Sequence, residues 1–252
     1  MTPAPFIWYD LMTPDVKAAE TFYSKAVGWT IEDSGMPGMS YSILKAGGTM
    51  VGGMMGMMPG GPPPMWTPYV YAADVDAGSR RAVELGGTLC KAPEDIPQVG
   101  RFSVIADPGG AMFNLFKPMG EQGPGEAAAN TPGHVGWREL RAGNGPEAWA
   151  FYSEMFGWVK STAMDMGPLG VYQIFKTNGS DDVGAMMTKT LEQRDAGWFL
   201  YFNVPALDAA IERVTAGGGK LTGEAMEVPT KQWIVHAEDP HGAAFGLVSP
   251  KR

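Results

Sequence analysis

The sequence predicts an α+β fold built from two similar halves, each made of two βαβββ modules. Three observations predict it: a set of motifs occurs twice, a Gly- and Pro-rich segment separates the two copies, and each copy alternates short apolar runs with helical patterns. With 252 residues and 44% hydrophobic side chains, the chain is long enough to bury a core in each half.

The repeat is the clearest feature of the sequence. The segment that begins at Trp8 returns at Trp137, and residues 51–55 return as residues 183–187. The sequence MGEQGPGEAAANTPG between the copies is polar and shows no apolar periodicity, which is typical of a linker. We therefore predict two separate packing units joined by this linker. The predicted bounds are 1–118 for the first domain, 119–133 for the linker and 134–252 for the second domain.

Each half shows two successions of strand, helix and further strands. Asp15 follows Pro14 and precedes apolar residues at helical spacing, so it predicts the start of a helix, which Gly28 then ends. Runs rich in aromatic and β-branched residues predict the strands. In the first half, the predicted strands are 6–12, 41–45, 50–58, 69–73, 88–91, 101–106 and 112–116, and the predicted helices are 16–27 and 77–85.

Composition limits the partners of the protein. The formal net charge of −8 disfavours nucleic acid, because such binding needs Lys and Arg to neutralise phosphates. The single cysteine, Cys90, cannot form an internal disulfide, and the sequence shows neither a signal-peptide pattern nor an apolar run of the roughly 18 residues that a membrane span needs. We therefore expect a cytoplasmic monomer or homodimer that binds a small molecule and has no membrane partner.

The repeated motifs resemble those of the vicinal oxygen chelate superfamily, which includes glyoxalases, bleomycin resistance proteins and extradiol dioxygenases. The resembling motifs are Phe22-Tyr23 with Gly28-Trp29, Phe151-Tyr152 with Gly157-Trp158, and the Asp-Pro-x-Gly-Ala turns at Asp107 and Asp239. The two-domain bacterial subgroup is the most similar. The resemblance implies tandem glyoxalase-like domains, in each of which two βαβββ modules form a cupped mixed or antiparallel sheet with the helices outside.

The resemblance also implies a divalent metal held by His, Gln or Glu at three strand positions of a domain. Those positions correspond to Trp8, Thr67 and Asn114 in the first half, and to Trp137, Phe199 and Gly246 in the second. Indole, phenyl and glycine groups donate nothing to a metal ion. We therefore predict no cofactor and assign no metal ligand. A divalent metal stays open, because an alignment shift of two residues keeps the same strand face.

Residues two apart on a strand share a face, so the former ligand positions and their neighbours are candidates for the lining of each cup. Such a mixture of apolar walls and isolated polar groups is typical of a small-molecule pocket. The candidate ligand-binding residues are Trp8, Thr67, Tyr69, Met112, Asn114 and Phe116 in the first half, and Trp137, Phe199, Tyr201 and Asn203 in the second. The four tryptophans at 8, 66, 137 and 198 have a second interpretation as core residues, which is the commoner role of buried indoles.

Asp10 and Glu139 are the candidate catalytic residues. Each is an acid in an apolar strand, and the two occupy equivalent positions of the repeat. Such a carboxyl group can accept or donate a proton during a reaction. The competing interpretation, which is the commoner case, is a structural acid that hydrogen-bonds the surrounding fold.

Three functions follow from these observations. The leading hypothesis is a protein that binds a small apolar or aromatic molecule in its β-sheet cups without the usual metal, either to sequester it or to convert it. The second is a metal-dependent lyase, isomerase or dioxygenase with unconventional ligands such as Asp10, Glu139, His236 or Glu238. The third is a structural or interaction protein without catalysis. Because fold does not fix function, the sequence leaves open whether the protein is an enzyme.

Overall fold

The structure is a computed structural model that describes residues 3–36, 40–58, 60–120, 127–177, 179, 181–190 and 195–252. Its elements form four modules in chain order. The first module contains β1 (Phe6–Thr13), α1 (Val16–Ala26), β2 (Thr30–Asp33), β3 (Tyr41–Ala46) and β4 (Thr49–Gly56). The second contains β5 (Met65–Tyr71), α2 (Val75–Glu84), β6 (Thr88–Ile96), β7 (Gly100–Ala106) and β8 (Met112–Pro118).

The second half repeats this order of elements. The third module contains β9 (Val135–Ala142), α3 (Gly145–Phe156), β10 (Val159–Asp165), β11 (Val171–Lys176) and β12 (Gly184–Thr188). The fourth contains β13 (Gly197–Asn203), α4 (Leu207–Ala216), β14 (Lys220–Leu221), β15 (Met226–Glu227), β16 (Trp233–Glu238) and β17 (Ala244–Ser249). No helix within the described ranges is long and apolar enough to cross a membrane.

Each half contributes one mixed sheet. The first has the strand order β2-β3-β4-β1-β5-β8-β7-β6, and the second has the order β10-β11-β12-β9-β13-β17-β16-β14, with β15 paired to β16. Within a module the first and last strands pair in parallel, as β1 with β4 and β13 with β17 do, whereas the hairpins are antiparallel. The predicted fold class, α+β with paired βαβββ modules in mixed sheets, is confirmed.

Local sequence signals explain where the helices begin and end. The Asp15 side chain accepts a hydrogen bond from the backbone N–H of Ala18 at 3.0 Å and so caps α1. Just after this helix, Gly28 has a φ of 94°, a left-handed conformation that favours glycine. The predicted start and stop of α1 are therefore confirmed.

One sheet face packs on the helices and the other does not. In β16, Val235 and Ala237 are buried together with Leu207 and Val214 of α4, whereas His236, which lies between them in sequence, points to the opposite face. We call this second face of each sheet the open face. By the same alternation, the open face carries Trp8 and Asp10 of β1.

The structure divides into two compact units that do not follow the two halves of the sequence. Unit A holds the described residues of Met1–Ile7, Pro68–Glu126 and Trp137–Trp198, and unit B holds those of Trp8–Thr67, Ala127–Gly136 and Phe199–Arg252. Each unit therefore combines modules from both halves, which differs from the expectation of one packing unit per half. The domain bounds 1–118, 119–133 and 134–252 describe the repeat, and they stay a prediction.

A buried tyrosine explains why unit B combines the first and last modules. Tyr23 of α1 is fully buried, accepts a hydrogen bond from Trp66 Nε1 at 3.0 Å and donates one to Asp239 Oδ2 at 3.3 Å. Asp239 also accepts hydrogen bonds from the backbone N–H groups of His241 and Ala243. Burial, and then the charge of Asp239, raise the pKa of Tyr23 well above its usual value.

Unit A contains a similar arrangement, in which Asp107 Oδ2 is buried but accepts no hydrogen bond from a described group. Trp198 Nε1 donates to the hydroxyl of Tyr152 at 3.2 Å, and Asp107 accepts from the backbone N–H groups of Gly109 and Ala111. Burial and the charge of Asp107 raise the pKa of Tyr152 in the same way. The FY and Asp-Pro motifs that recur in the sequence are therefore parts of one repeated network.

Three strands differ most from the sequence-based expectation, and one of them is β6, which runs to Ile96 rather than to residue 91. No strand was predicted at β2, where the short polar segment TIED is mostly exposed and lacks apolar alternation. β5 begins at Met65 rather than at Tyr69, so Thr67 lies within this strand.

Because unit B needs both halves, we expect residues 1–118 expressed alone not to unfold cooperatively as a monomer. In that fragment, Phe22 and Tyr23 lack the contacts that Phe245 and Asp239 provide. Circular dichroism melting and size-exclusion chromatography measure this, and adding residues 127–252 should restore the transition. A monomeric fragment that melts at the temperature of the full chain would contradict the expectation.

Candidate functional site

The first candidate site is a closed network on β1 and β3. Asp10 is only 4% exposed, and its Oδ1 accepts hydrogen bonds from Trp8 Nε1 at 2.9 Å and from the Tyr41 hydroxyl at 2.6 Å. The Trp8 N–H also lies 2.7 Å from the Tyr41 hydroxyl oxygen. Three side chains therefore form one connected network on the open face of the sheet.

The Tyr41 ring of this network packs directly over a glycine. Gly53 of β4 lies beside Asp10 in the parallel pairing of β1 with β4, and the Tyr41 ring crosses over it. A Cβ at position 53 would collide with the Tyr41 hydroxyl and ring. Burial, followed by the charge of Asp10, raises the pKa of Tyr41 well above its usual value, so the phenol stays protonated and donates.

The equivalent network in the third module includes a cation. Trp137 Nε1 donates to the Tyr172 hydroxyl at 2.8 Å, and Tyr172 donates to Glu139 Oε2 at 3.1 Å. Arg141 Nε forms an ion pair with Glu139 Oε1 at 2.8 Å, where both side chains are largely buried. The counterpart of Arg141 in the first half is Met12. The two halves therefore share the frame of indole, acid and phenol but differ in charge.

The fourth module places a phenol beside an imidazole. The Tyr201 hydroxyl lies 2.8 Å from His236 Nε2, and the Phe199 ring lies 5.1 Å from the ring centres of both residues. Tyr201 and Asn203 are each 3% exposed. The structure thus brings together Phe199, Tyr201 and His236, although the sequence did not indicate His236 as a partner.

The second module presents a more apolar surface. Tyr69 pairs with Asn114 across β5 and β8, and its ring packs edge-on against Phe116 at 5.8 Å. Met112 is half-buried on the same strand as Asn114 and Phe116. Thr67 belongs to unit B, where its hydroxyl is buried and hydrogen-bonds no described group.

The residues at the family's metal positions do not fit a metal-ligand set. Trp8 and Trp137 use their indole N–H groups to bind tyrosine hydroxyls, Phe199 offers a phenyl ring, and the space beside Gly246 is filled by the Tyr201 ring. Within the part of the chain that the structure describes, no group of three or more His, Cys, Asp or Glu side chains is placed to hold a metal ion.

The sequence predicted the acids and indoles but missed the tyrosines that bind them. Tyr41 and Tyr172 occupy equivalent positions of the repeat, so a systematic comparison of the two halves could have identified both. Arg141 was missed because its counterpart Met12 is apolar. Pairing of Tyr201 with His236 depends on strand register, which no sequence motif indicates.

Two family models match the chain. Residues 131–247 match the glyoxalase/bleomycin resistance protein/dioxygenase superfamily, and residues 7–116 match a glyoxalase-like domain. The chain is 32% identical over 248 residues to the putative glyoxylase CFP32 of Mycobacterium tuberculosis, covering 96% of this chain and 94% of the relative. It is 30% identical over 264 residues to the anthracycline biosynthesis protein DauV of Streptomyces sp. (strain C5), covering 98% and 93%.

Solved structures show the same fold at low sequence identity. The Mn(II)-bound glyoxalase from Novosphingobium aromaticivorans has a TM-score of 0.68 at 15% identity, with 100% of this chain and 83% of that chain covered. The 2,2',3-trihydroxybiphenyl 1,2-dioxygenase from Sphingomonas wittichii strain RW1 has a TM-score of 0.69 at 12% identity, with 98% and 90% covered. At these identities the likeness extends to the fold alone.

Substituting Gly53 by Ala should strain the first network. The added methyl group collides with Tyr41, so we expect a loss of about 1–3 kcal/mol in the free energy of unfolding. Urea denaturation measures it. Gly56→Ala on the same strand is the matched control, because a Cβ added there would meet nothing within 4 Å, and it should change stability by no more than about 0.5 kcal/mol. Equal effects of the two substitutions would show that the crossing of Tyr41 over Gly53 contributes nothing.

Proposed function

Because the chain belongs to the glyoxalase/bleomycin resistance protein/dioxygenase superfamily, we propose that it binds a small apolar or aromatic molecule in its β-sheet cups without the family's usual metal set. The observation that carries the proposal is the frame of indole, acid and phenol, which occurs around Asp10 and again around Glu139. A polar cluster of this kind on an otherwise apolar wall is typical of a binding pocket.

The names of similar proteins support an aromatic ligand. One relative is named for anthracycline biosynthesis, and two structural neighbours are dioxygenases named for catechol and for a trihydroxybiphenyl. In the proposed site, the ligand rings contact the apolar and aromatic side chains. The proposed contact residues are Trp8, Thr67, Tyr69, Met112, Asn114 and Phe116 in the first half, and Trp137, Phe199, Tyr201 and Asn203 in the second.

Asp10 is the residue that we assign to proton transfer in the first half. Its Oδ1 is held by two neutral donors, Trp8 and Tyr41, so the carboxylate has a fixed orientation toward a ligand. In the second half, Arg141 compensates the charge of Glu139, so Glu139 orients a ligand as part of an ion pair. The proposal makes Asp10 the stronger catalytic candidate and Glu139 the second.

The proposal includes a cytoplasmic location and excludes nucleic acid and membrane from the partners. It rests on the net charge of −8 and on Cys90, which is exposed as a free thiol. The oligomeric state in the proposal is a monomer or a homodimer.

A titration with 1-naphthol, a small aromatic probe, tests ligand binding and the role of Asp10. We expect saturable binding by isothermal calorimetry and a loss of at least roughly tenfold in affinity at one site in the Asp10→Asn variant, because a charged acceptor is removed. The melting temperature should hardly change, since the Asn side chain still accepts from Trp8 and Tyr41.

Glu139→Gln tests the second half in the same way, and Glu212→Gln on exposed α4 is the control that should leave binding and stability unchanged. A large loss of stability with unchanged binding in Asp10→Asn would assign Asp10 a structural role. No binding of the probe to the unaltered protein would contradict the proposal and favour a structural or interaction function.

Metal analysis distinguishes the proposal from a metal-dependent enzyme with unconventional ligands. After purification without chelators, we expect substoichiometric Fe, Zn, Mn and Ni, and unchanged 1-naphthol binding after dialysis against EDTA, because Trp, Phe and Gly occupy metal positions. One equivalent of a divalent metal that is lost in the Asp10→Asn or His236→Val variant would instead establish the metal-dependent alternative.

A further inference from the structure

Tyr201, Gly246 and His236 form one row across three neighbouring strands. β13 pairs Tyr201 with Gly246 of β17, and β17 pairs Gly246 with His236 of β16. The Tyr201 ring lies over Gly246, where a Cβ would collide with the ring. The hydroxyl therefore reaches across one strand and lies 2.8 Å from His236 Nε2. A side chain at position 246 would displace the Tyr201 ring from this position.

The corresponding row of the first half has different chemistry. There, Tyr69 pairs with Asn114, and Asn114 pairs with Val104. Asn114 has a side chain at the position of Gly246, and the Tyr69 ring packs against Phe116 instead. Two differences between the halves act together. Gly246 leaves room for the Tyr201 ring, and His236 supplies the polar group that the Tyr201 hydroxyl contacts. Neither difference alone would produce the pair.

Asn203 adds a buried acceptor on the same strand as Tyr201. It lies two residues further along β13, so it shares the strand face of Tyr201, and it is 3% exposed. Its amide lies over Gly136, a second glycine where a Cβ would collide. The Oδ1 atom hydrogen-bonds no described group, and a buried acceptor in that state is unfavourable until a donor reaches it.

We infer that Phe199, Tyr201, Asn203 and His236 recognise a hydroxylated aromatic molecule. The Phe199 ring supplies an apolar contact, and the phenol, imidazole and amide supply hydrogen-bonding groups for a ligand hydroxyl. This inference rests on the proposed function and deepens it, because it names the ligand class of the second half. It also makes His236 the residue that distinguishes the specificity of this half from that of the first, where Val104 stands.

The pair 1-naphthol and naphthalene tests the inference, because the two probes differ by one hydroxyl group. The chain has three histidines, so labelled imidazole resonances in NMR spectra resolve His236 and report binding at its own site. We expect 1-naphthol to shift the His236 signal and to bind roughly tenfold more tightly than naphthalene, as one added hydrogen bond provides.

Variants then identify the side chains that bind the hydroxyl group of 1-naphthol. Tyr201→Phe should reduce the affinity ratio of the two probes toward one while changing naphthalene binding by less than about twofold, since the ring is retained. Gly246→Ala should do the same by displacing the ring, and Tyr201→Phe keeps the test valid if that variant fails to fold. Tyr71→Phe, at a first-half tyrosine outside the proposed contact residues, is the matched control and should leave the ratio at the His236 site unchanged.

His236→Val introduces the residue found at the equivalent position of the first half, Val104. Calorimetry should show a lower preference of this variant for 1-naphthol over naphthalene. An affinity ratio near one in the unaltered protein, or an unchanged ratio in Tyr201→Phe, would overturn the inference. In either case, binding of naphthalene would still support the proposed function. If neither probe moves the His236 signal and calorimetry shows no binding, the proposed function fails together with it.

Discussion

The structure depends on a buried contact between a helix tyrosine and an Asp-Pro turn from the other half of the sequence. Tyr23 with Asp239 forms this contact in unit B, and Tyr152 with Asp107 forms its counterpart in unit A. Each tyrosine hydroxyl also accepts a hydrogen bond from a tryptophan indole N–H. A hydroxyl group buried among aromatic rings is unfavourable without such hydrogen bonds. The halves therefore share cores, and the repeat in the sequence does not correspond to two independent packing units.

Single differences between equivalent positions of the modules decide what the open faces of the sheets present. At Gly53 and Gly246, a tyrosine ring packs over the glycine, crosses one strand and reaches a titratable group on the next. Over Ala185, the counterpart of Gly53, Tyr172 also binds an acid, which is paired with Arg141 as well. At Asn114, the counterpart of Gly246, the Tyr69 ring packs on Phe116 instead. Four modules with one backbone pattern thus carry four different surfaces, which is how a duplicated fold acquires separate binding preferences.

Much of the fold follows from the sequence because its signals are local. Asp15 and Gly28 mark the ends of α1, and strand alternation places Trp8 and Asp10 on one face. The shared cores were not predicted, because apolar periodicity shows which face is buried but not which module covers it. The partners of the candidate acids were missed for a related reason. Tyr41 is 31 residues from Asp10, and their contact depends on the strand order.

The distance in sequence between Tyr23 and Asp239 has a consequence during synthesis of the chain. The two residues are 216 positions apart, so α1 leaves the ribosome long before the turn that covers it. Unit A, whose last segment ends at Trp198, can close while the fourth module is still being made. Until the fourth module is complete, Phe22 and Tyr23 lack their contacts with Phe245 and Asp239. Apolar surface exposed at this stage makes a nascent chain prone to aggregation.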